Sequence, residues 1–237
     1  MADTLLEASN IETFYGPIMA IRGVSFVVPR GGIVTILGAN GAGKTTILRT
    51  VSGVMDPQKG SVTFEGQPIH GLDPDKVMRR GLVHVPEGRE VFPLLTVREN
   101  LRMGAFTRHD TAGIAADLES VFEYFPVLRA RAEQRAGSLS GGEQQMLALS
   151  RALVGSPQVL LFDELSMGLA PIVVGQLFDQ VAALRHAGRT IVLVEQYLTH
   201  ALRLADICYV LAKGRVAWCG EPGELRDSAA AADYLAG

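Results

Sequence analysis

The sequence predicts an α/β fold: a parallel-stranded core, an antiparallel β subdomain near the N-terminus, and a mostly helical subdomain set into the middle of the chain. Three observations predict it. The string GANGAGKT, Gly38 to Thr45, lies between an apolar run, Ile33 to Leu37, and a helix-forming run, Thr45 to Arg49, which reads as strand, loop, helix. The string VLLFDE, Val159 to Glu164, is apolar until it ends in two acids, as a central strand buried on both faces would be. Short apolar runs near 33–37, 82–85, 159–163, 190–194 and 207–212 alternate with helical stretches, the pattern of a parallel sheet. Leu5 to Val28 alternates weakly and carries no clear helix, which suits an antiparallel sheet continued by Ser61 to Phe64. Residues 94–155 are rich in Leu, Ala, Arg and Glu and predict helices, and Pro222 to Ala236 reads as a closing helix. The 237 residues fit one large domain. Its core and β subdomain are expected at about 1–93 and 156–237, and its helical subdomain at about 94–155.

The first string carries the chemistry. It fits the phosphate-loop pattern of Gly, four residues, then Gly-Lys-Ser/Thr. Glycines at 38, 41 and 43 let the backbone approach an anion closely. Successive N–H groups and the helix N-terminus favour negative charge there. Lys44 is placed to reach β- and γ-phosphates, and the Thr45 hydroxyl to sit on Mg²⁺. The competing reading is a glycine-rich turn with an accidental Lys-Thr, which the flanking strand and helix disfavour. Asp163 and Glu164 fall at the carboxyl end of a strand, where open α/β sheets bind ligands. Successive strand residues point to opposite sides. Asp163 can therefore hold the Mg²⁺ shell while Glu164 orients or deprotonates a water. Alone, this pair could equally be a solvated turn after a core strand.

A second string, LSGGEQ, Leu139 to Gln144, resembles the signature motif of the ABC transporter ATP-binding subunits. The match runs from Leu5 to about Gly220. The resemblance implies a P-loop NTPase of the ABC ATPase type, with a RecA-like parallel core, an N-terminal antiparallel β subdomain and a helical subdomain bearing the signature. It implies ATP and Mg²⁺ as ligands, with the nucleotide held by the loop residues Gly38, Asn40, Gly41, Ala42, Gly43, Lys44, Thr45 and Thr46. In that family two subunits face head to tail, so Ser140, Gly141 and Gly142 would meet the γ-phosphate held by the partner. Independently, Ser140-Gly141-Gly142 opens a helix-like run to Leu153 and so offers a second N-terminal anion site. Tyr15 resembles the aromatic residue that stacks on adenine; the weaker competing reading is a strand aromatic covering the core. Ser166 to Leu169 falls at the family's D-loop, with Leu169 in place of the usual acid. Glu87 stands at the Q-loop, where a Gln normally joins Mg²⁺ to the membrane partner, and Gln196 at the switch position, where a His normally contacts the γ-phosphate. The strings VPEGR, GLAP and VEQ resemble the shorter ATPase subunit of branched-chain amino acid importers, with amide and urea importers close by. Such importers pair two different ATPase subunits, so either a homodimer or a heterodimer with a paralogue is implied, seated on transmembrane permease subunits at the cytoplasmic face of the cell membrane.

Composition sets limits. At 48% hydrophobic and 20% charged, this is an ordinary globular chain. A net charge of −3 argues against a nucleic-acid partner. Met1 to Thr4 shows no basic region leading into an apolar stretch, so no secretory signal is expected. No run approaches the length needed to span a membrane, so membrane insertion is not expected. Cys208 and Cys219 lie in strand-like runs without metal spacing and read as buried, reduced thiols. His84 reads as a packed strand residue and His200 as a surface helix position, although His200 follows Gln196 by one helical turn. The apolar residues of Leu94 to Met103 read as core, although the resemblance implies that the region after the Q-loop meets the membrane subunit. Two other classes remain open: an ABC ATPase outside transport, and a weakly hydrolysing nucleotide sensor motivated by Glu87 and Gln196.

Overall fold

In the computed structural model, which describes residues 3–195 and 198–225, the chain opens with a long hairpin. Strands β1 (Thr4–Tyr15) and β2 (Ile18–Pro29) pair antiparallel across the Gly16-Pro17 turn. The first core strand, β3 (Ile33–Gly38), then runs into α1 (Lys44–Val51). Strands β4 (Lys59–Phe64) and β5 (Gln67–Pro68) complete a four-stranded antiparallel sheet in the order β2-β1-β4-β5. Helix α2 (Pro74–Arg79) leads to β6 (Leu82–Val85). The helical stretch consists of α3 (Val97–Met103), α4 (Thr111–Tyr124), α5 (Pro126–Ala130) and α6 (Gly141–Val154). The chain returns to the core through β7 (Val159–Asp163), α7 (Pro171–His186), β8 (Thr190–Glu195), α8 (Leu198–Leu204) and β9 (Ile207–Ala212). It closes with β10 (Arg215–Gly220) and α9 (Pro222–Leu225).

The second sheet has the order β10-β9-β3-β8-β7-β6 and is parallel except for β10, which folds back on β9. Strands β3, β7 and β8 are buried at every position, as central strands of a sheet covered on both faces must be. Their side chains still alternate. Ile33, Leu37, Leu160, Phe162, Ile191 and Leu193 face one apolar cluster with the helical stretch. Val34, Ile36, Val159, Leu161, Val192 and Val194 face a second cluster, with α1 and the antiparallel sheet. Parallel register puts the carboxyl ends of four strands at one edge: Leu37 lies beside Glu195, Asp163 beside Val194, and Val85 beside Phe162.

The parallel strands fall where the sequence predicts them, and the antiparallel sheet holds Leu5 to Val28 and Ser61 to Phe64. Several expectations need correction. Leu94 is 78% exposed and Met103 is 45% exposed. The helix begins only at Val97, capped by Thr96 and Glu99 in a reciprocal pair. Its buried stripe is therefore Val97 and Leu101, and Leu94 precedes it. Cys208 is buried but Cys219 is exposed, because β10 is an edge strand with one open face. His84 is half-buried, with Nδ1 3.4 Å from the Ser52 hydroxyl. Burial, helped by the nearby Arg49 charge, pushes it down to about 4. His200 is also half-buried and stacks on Phe178, with ring centroids 5.0 Å apart. The closing helix is seen as α9, and its remainder lies outside the described residues. No described helix is long and apolar enough to cross a membrane.

Candidate active site

The loop after β3 is held from three sides. Gly38 lies so close to β9 that a Cβ there would fall 2.7 Å from the Leu211 carbonyl oxygen. Gly43, the residue before α1, has φ of +107°, a conformation glycine adopts without penalty. The turn between β9 and β10 supports the loop from below. Gly214 N–H donates to the Ala42 carbonyl at 3.0 Å, and its own carbonyl accepts from Arg22 N–H at 2.8 Å. A Cβ on Gly214 would fall 2.4 Å from the Ala20 carbonyl oxygen.

Lys44 is 4% exposed. Its Nζ donates to the Gly38 carbonyl at 2.9 Å and lies 3.2 Å from Glu164 Oε1. In this state the ammonium is thus satisfied by its own loop and by the acid at the end of β7. Thr45 Oγ1 donates to Asp163 Oδ1 at 3.2 Å. Asp163 is 1% exposed, and its Oδ2 is buried with no hydrogen-bond partner. Burial pushes Asp163 up to about 6; Glu164 and Glu87 add to the rise, while the Thr45 hydrogen bond and Lys44 oppose it. An orphaned carboxylate oxygen beside a threonine hydroxyl fits a hard divalent cation, which takes oxygen ligands. Glu164 itself sits at φ of +47°, and its N–H donates to the Val194 carbonyl at 2.9 Å.

A cavity of about 500 Å³ collects most of the predicted residues: Tyr15, Asn40, Gly41, Gly43, Lys44, Thr45, Thr46, Glu87 and Glu164 line it. Gly38 and Ala42 are buried beneath the loop and shape it from behind. Tyr15 is 42% exposed at the rim, its hydroxyl 3.3 Å from Arg49, so it is no core aromatic. Ser140, Gly141 and Gly142 do not line this cavity; they form the start of α6. Gln196 lies outside the described residues.

Sequence reasoning passed over three contributors. Arg89 lies over the start of α6, where a Cβ on Gly141 would fall 2.7 Å from its guanidinium. Asn100, fully buried, accepts from Phe92 N–H at 2.8 Å and donates to the Thr96 carbonyl at 2.9 Å, fixing the segment that leads away from β6. Glu195, fully buried, accepts two hydrogen bonds from Ser166. Its signal was present: like β7, β8 is an apolar run ending in an acid.

A glycine loop feeding an open helix, a buried lysine, and two acids at the end of β7, two strands across the sheet, define a phosphate-loop ATPase. The ABC transporter family matches over residues 21–166. The high-affinity branched-chain amino acid transport ATP-binding protein BraG of Pseudomonas aeruginosa is 49% identical over 212 residues, covering 90% of this chain and 91% of that one. The probable branched-chain amino acid transport ATP-binding protein LivF of Archaeoglobus fulgidus is 35% identical, covering 93% and 94%. Among solved structures, the ADP conformation of an ATP-binding cassette of an ABC transporter superposes with a TM-score of 0.87 at 25% identity, covering 99% of both chains. A nucleotide-free cassette gives 0.84 at 25% identity, covering 99% and 96%. The chain belongs to the ABC transporter ATP-binding family.

Proposed function

We propose that this chain hydrolyses ATP to power an ABC importer of branched-chain amino acids or related small amides. The observation that carries the ATPase reading is the single cavity shared by Lys44, Thr45 and Glu164, with Asp163 behind them. The transported class rests on the names of the relatives above, BraG at 49% identity in particular. Those relatives are transport proteins, which favours this reading over a soluble ATPase or a sensor.

ATP enters with its adenine on Tyr15 and its phosphates along Gly38 to Thr46. Lys44 exchanges Gly38 and Glu164 for β- and γ-phosphate oxygens. Thr45 and Asp163, with Glu87, would hold Mg²⁺, which would supply neutralisation of phosphate charge. Freed from Lys44, Glu164 accepts a proton from the water that attacks the γ-phosphorus, and the bond to the β–γ bridging oxygen breaks to leave ADP. Gln196 donates a hydrogen bond to the γ-phosphate, as an amide can. Ser140, Gly141 and Gly142 complete the site of a second ATPase subunit, a copy of this chain or a paralogue, in a head-to-tail dimer. Residues 94–155 act as the helical subdomain that carries them. Permease subunits hold the pair at the cytoplasmic face of the membrane.

The test is the chain co-purified with its membrane subunits in vesicles. Wild type should hydrolyse ATP and drive uptake of leucine, isoleucine or valine. Glu164→Gln should bind ATP, lose about a hundredfold or more in turnover, and accumulate as an ATP-dependent dimer. Normal turnover in that variant would remove Glu164 from the mechanism. Active hydrolysis without uptake of any of the three solutes would remove the solute assignment alone.

A further inference from the structure

At the end of β8 a carboxylate with no exposed surface grips Ser166 with both oxygens. Glu195 Oε1 accepts from the Ser166 backbone N–H at 3.1 Å, and Oε2 from the Ser166 hydroxyl at 2.6 Å. Glu195 is 0% exposed and Ser166 is 2% exposed, so water does not compete for either bond. Burying an acid here is costly unless its bonds are made. Ser166 belongs to the turn that follows Glu164. That turn is closed by Met167 N–H on the Glu164 carbonyl at 3.2 Å and Leu169 N–H on the Ser166 carbonyl at 3.3 Å. Its first residue is the strained one: Glu164, at φ of +47°. A left-handed conformation at a residue other than glycine costs on the order of 1–3 kcal/mol and persists only where its surroundings over-determine it. Here the end of β8 supplies that constraint at two points, through the Val194 carbonyl on Glu164 N–H and the Glu195 carboxylate on Ser166.

We propose that Glu195 is a positioning residue for ATP hydrolysis: by holding Ser166 it sets the turn that aims Glu164 at the attacking water. This rests on the reading of Glu164 as the base. Glu195 does not line the nucleotide cavity, so its effect should fall on turnover and not on binding. A general base displaced by about 1 Å can cost on the order of a hundredfold in rate.

The experiment approaches the pair from both sides in the assembled complex. Ser166→Ala removes the hydroxyl and leaves the backbone donor, while Glu195→Gln keeps the shape and loses the charge. Each is measured for kcat, KM, ATP affinity and melting temperature. The expected result is a fall in kcat of about ten- to a hundredfold in both, with KM and ATP affinity within about twofold of wild type. The double variant should be no slower than the slower single, because the two residues act as one unit. Added to Glu164→Gln, neither should cost further turnover. Turnover within about twofold of wild type in both single variants overturns the proposal. A parallel loss of affinity, melting temperature and kcat also overturns it, by showing a merely structural role. If Glu195→Gln fails to fold, Ser166→Ala decides by the same criteria. Wild type and Glu164→Gln run beside them: wild type active and Glu164→Gln inactive leaves the parent reading standing whatever the pair does, whereas an inactive wild type fails the parent reading and this inference with it.

Discussion

Two helices of this molecule begin at glycine-rich strings, and their first turns are built in opposite ways. Helix α1 follows Gly43, with no side-chain cap and no acid in its first turn. Helix α6 follows Ser140 and carries a complete capping box. There the Ser140 hydroxyl donates to Glu143 Oε2 at 2.9 Å and accepts from Glu143 N–H at 3.4 Å, and Glu143 Oε1 lies 3.0 Å from Arg131. A bare N-terminus keeps its donors for an incoming anion. A capped one has already satisfied part of that demand internally. Shared glycine content thus conceals a difference in readiness: no side-chain cap stands on the first turn of α1, whereas at α6 Glu143 already engages the Ser140 N–H and hydroxyl.

The largest effect should come from α1. Lys44→Ala removes a buried, charge-assisted phosphate contact, about 3 kcal/mol or on the order of a hundredfold in ATP affinity. Calorimetric titration of the isolated chain measures it. Equal affinity in the variant would break the comparison at its stronger end.

The next effect concerns the acid facing α1. Asp163 is raised in the folded chain, first by burial, from 3.8 to about 6. A group whose folded value is raised favours the folded state while the proton is held, and that favour is lost as pH rises through about 6. Asp163→Asn removes the burden, so without nucleotide it should be more stable than wild type by about 3 kcal/mol at pH 8 and by almost nothing at about pH 3, below the unfolded value. Denaturation at several pH values gives the answer. Mg-ATP should reverse the order at pH 8, because only the wild type offers the Asp163 carboxylate to the cation. A stability difference independent of pH would mean that Asp163 carries no trapped cost.

The smallest effect belongs to α6. Ser140→Ala loses the cap, about 1 kcal/mol of stability, while ATP affinity of the isolated chain stays at the wild-type value. Dimer formation with ATP should weaken, as sedimentation can show. If single-chain affinity fell as far as in Lys44→Ala, the two helix starts would serve one site and the contrast would collapse.

The core was readable because its strands are nearly pure apolar runs bounded by glycine strings or acids, as Ile33 to Leu37 and Val159 to Phe162 are. The phosphate loop was readable because few backbones bend that sharply without glycine. Leu94 was misread because helical spacing alone does not say where a helix starts; the start is written in Thr96 and Glu99, a capping box visible in the sequence. Cys219 was misread because hydrophobic character does not separate an edge strand from a central one. The pairing of Glu195 with Ser166 was beyond reach, since it depends on the register of β7 against β8, which is fixed only when both apolar clusters have closed.

One glycine far in sequence from the phosphate loop has a genetic consequence. Gly214 turns at φ of +78° beneath Ala42, with no room for a side chain against Ala20. Any substitution there must push on Ala20 and shift the turn that props the loop. A screen for alleles that lose nucleotide binding should therefore return changes at codon 214 as well as in the string GANGAGKT. Read along the linear map these alleles would look like two unrelated loci, although in the folded chain they report a single lesion.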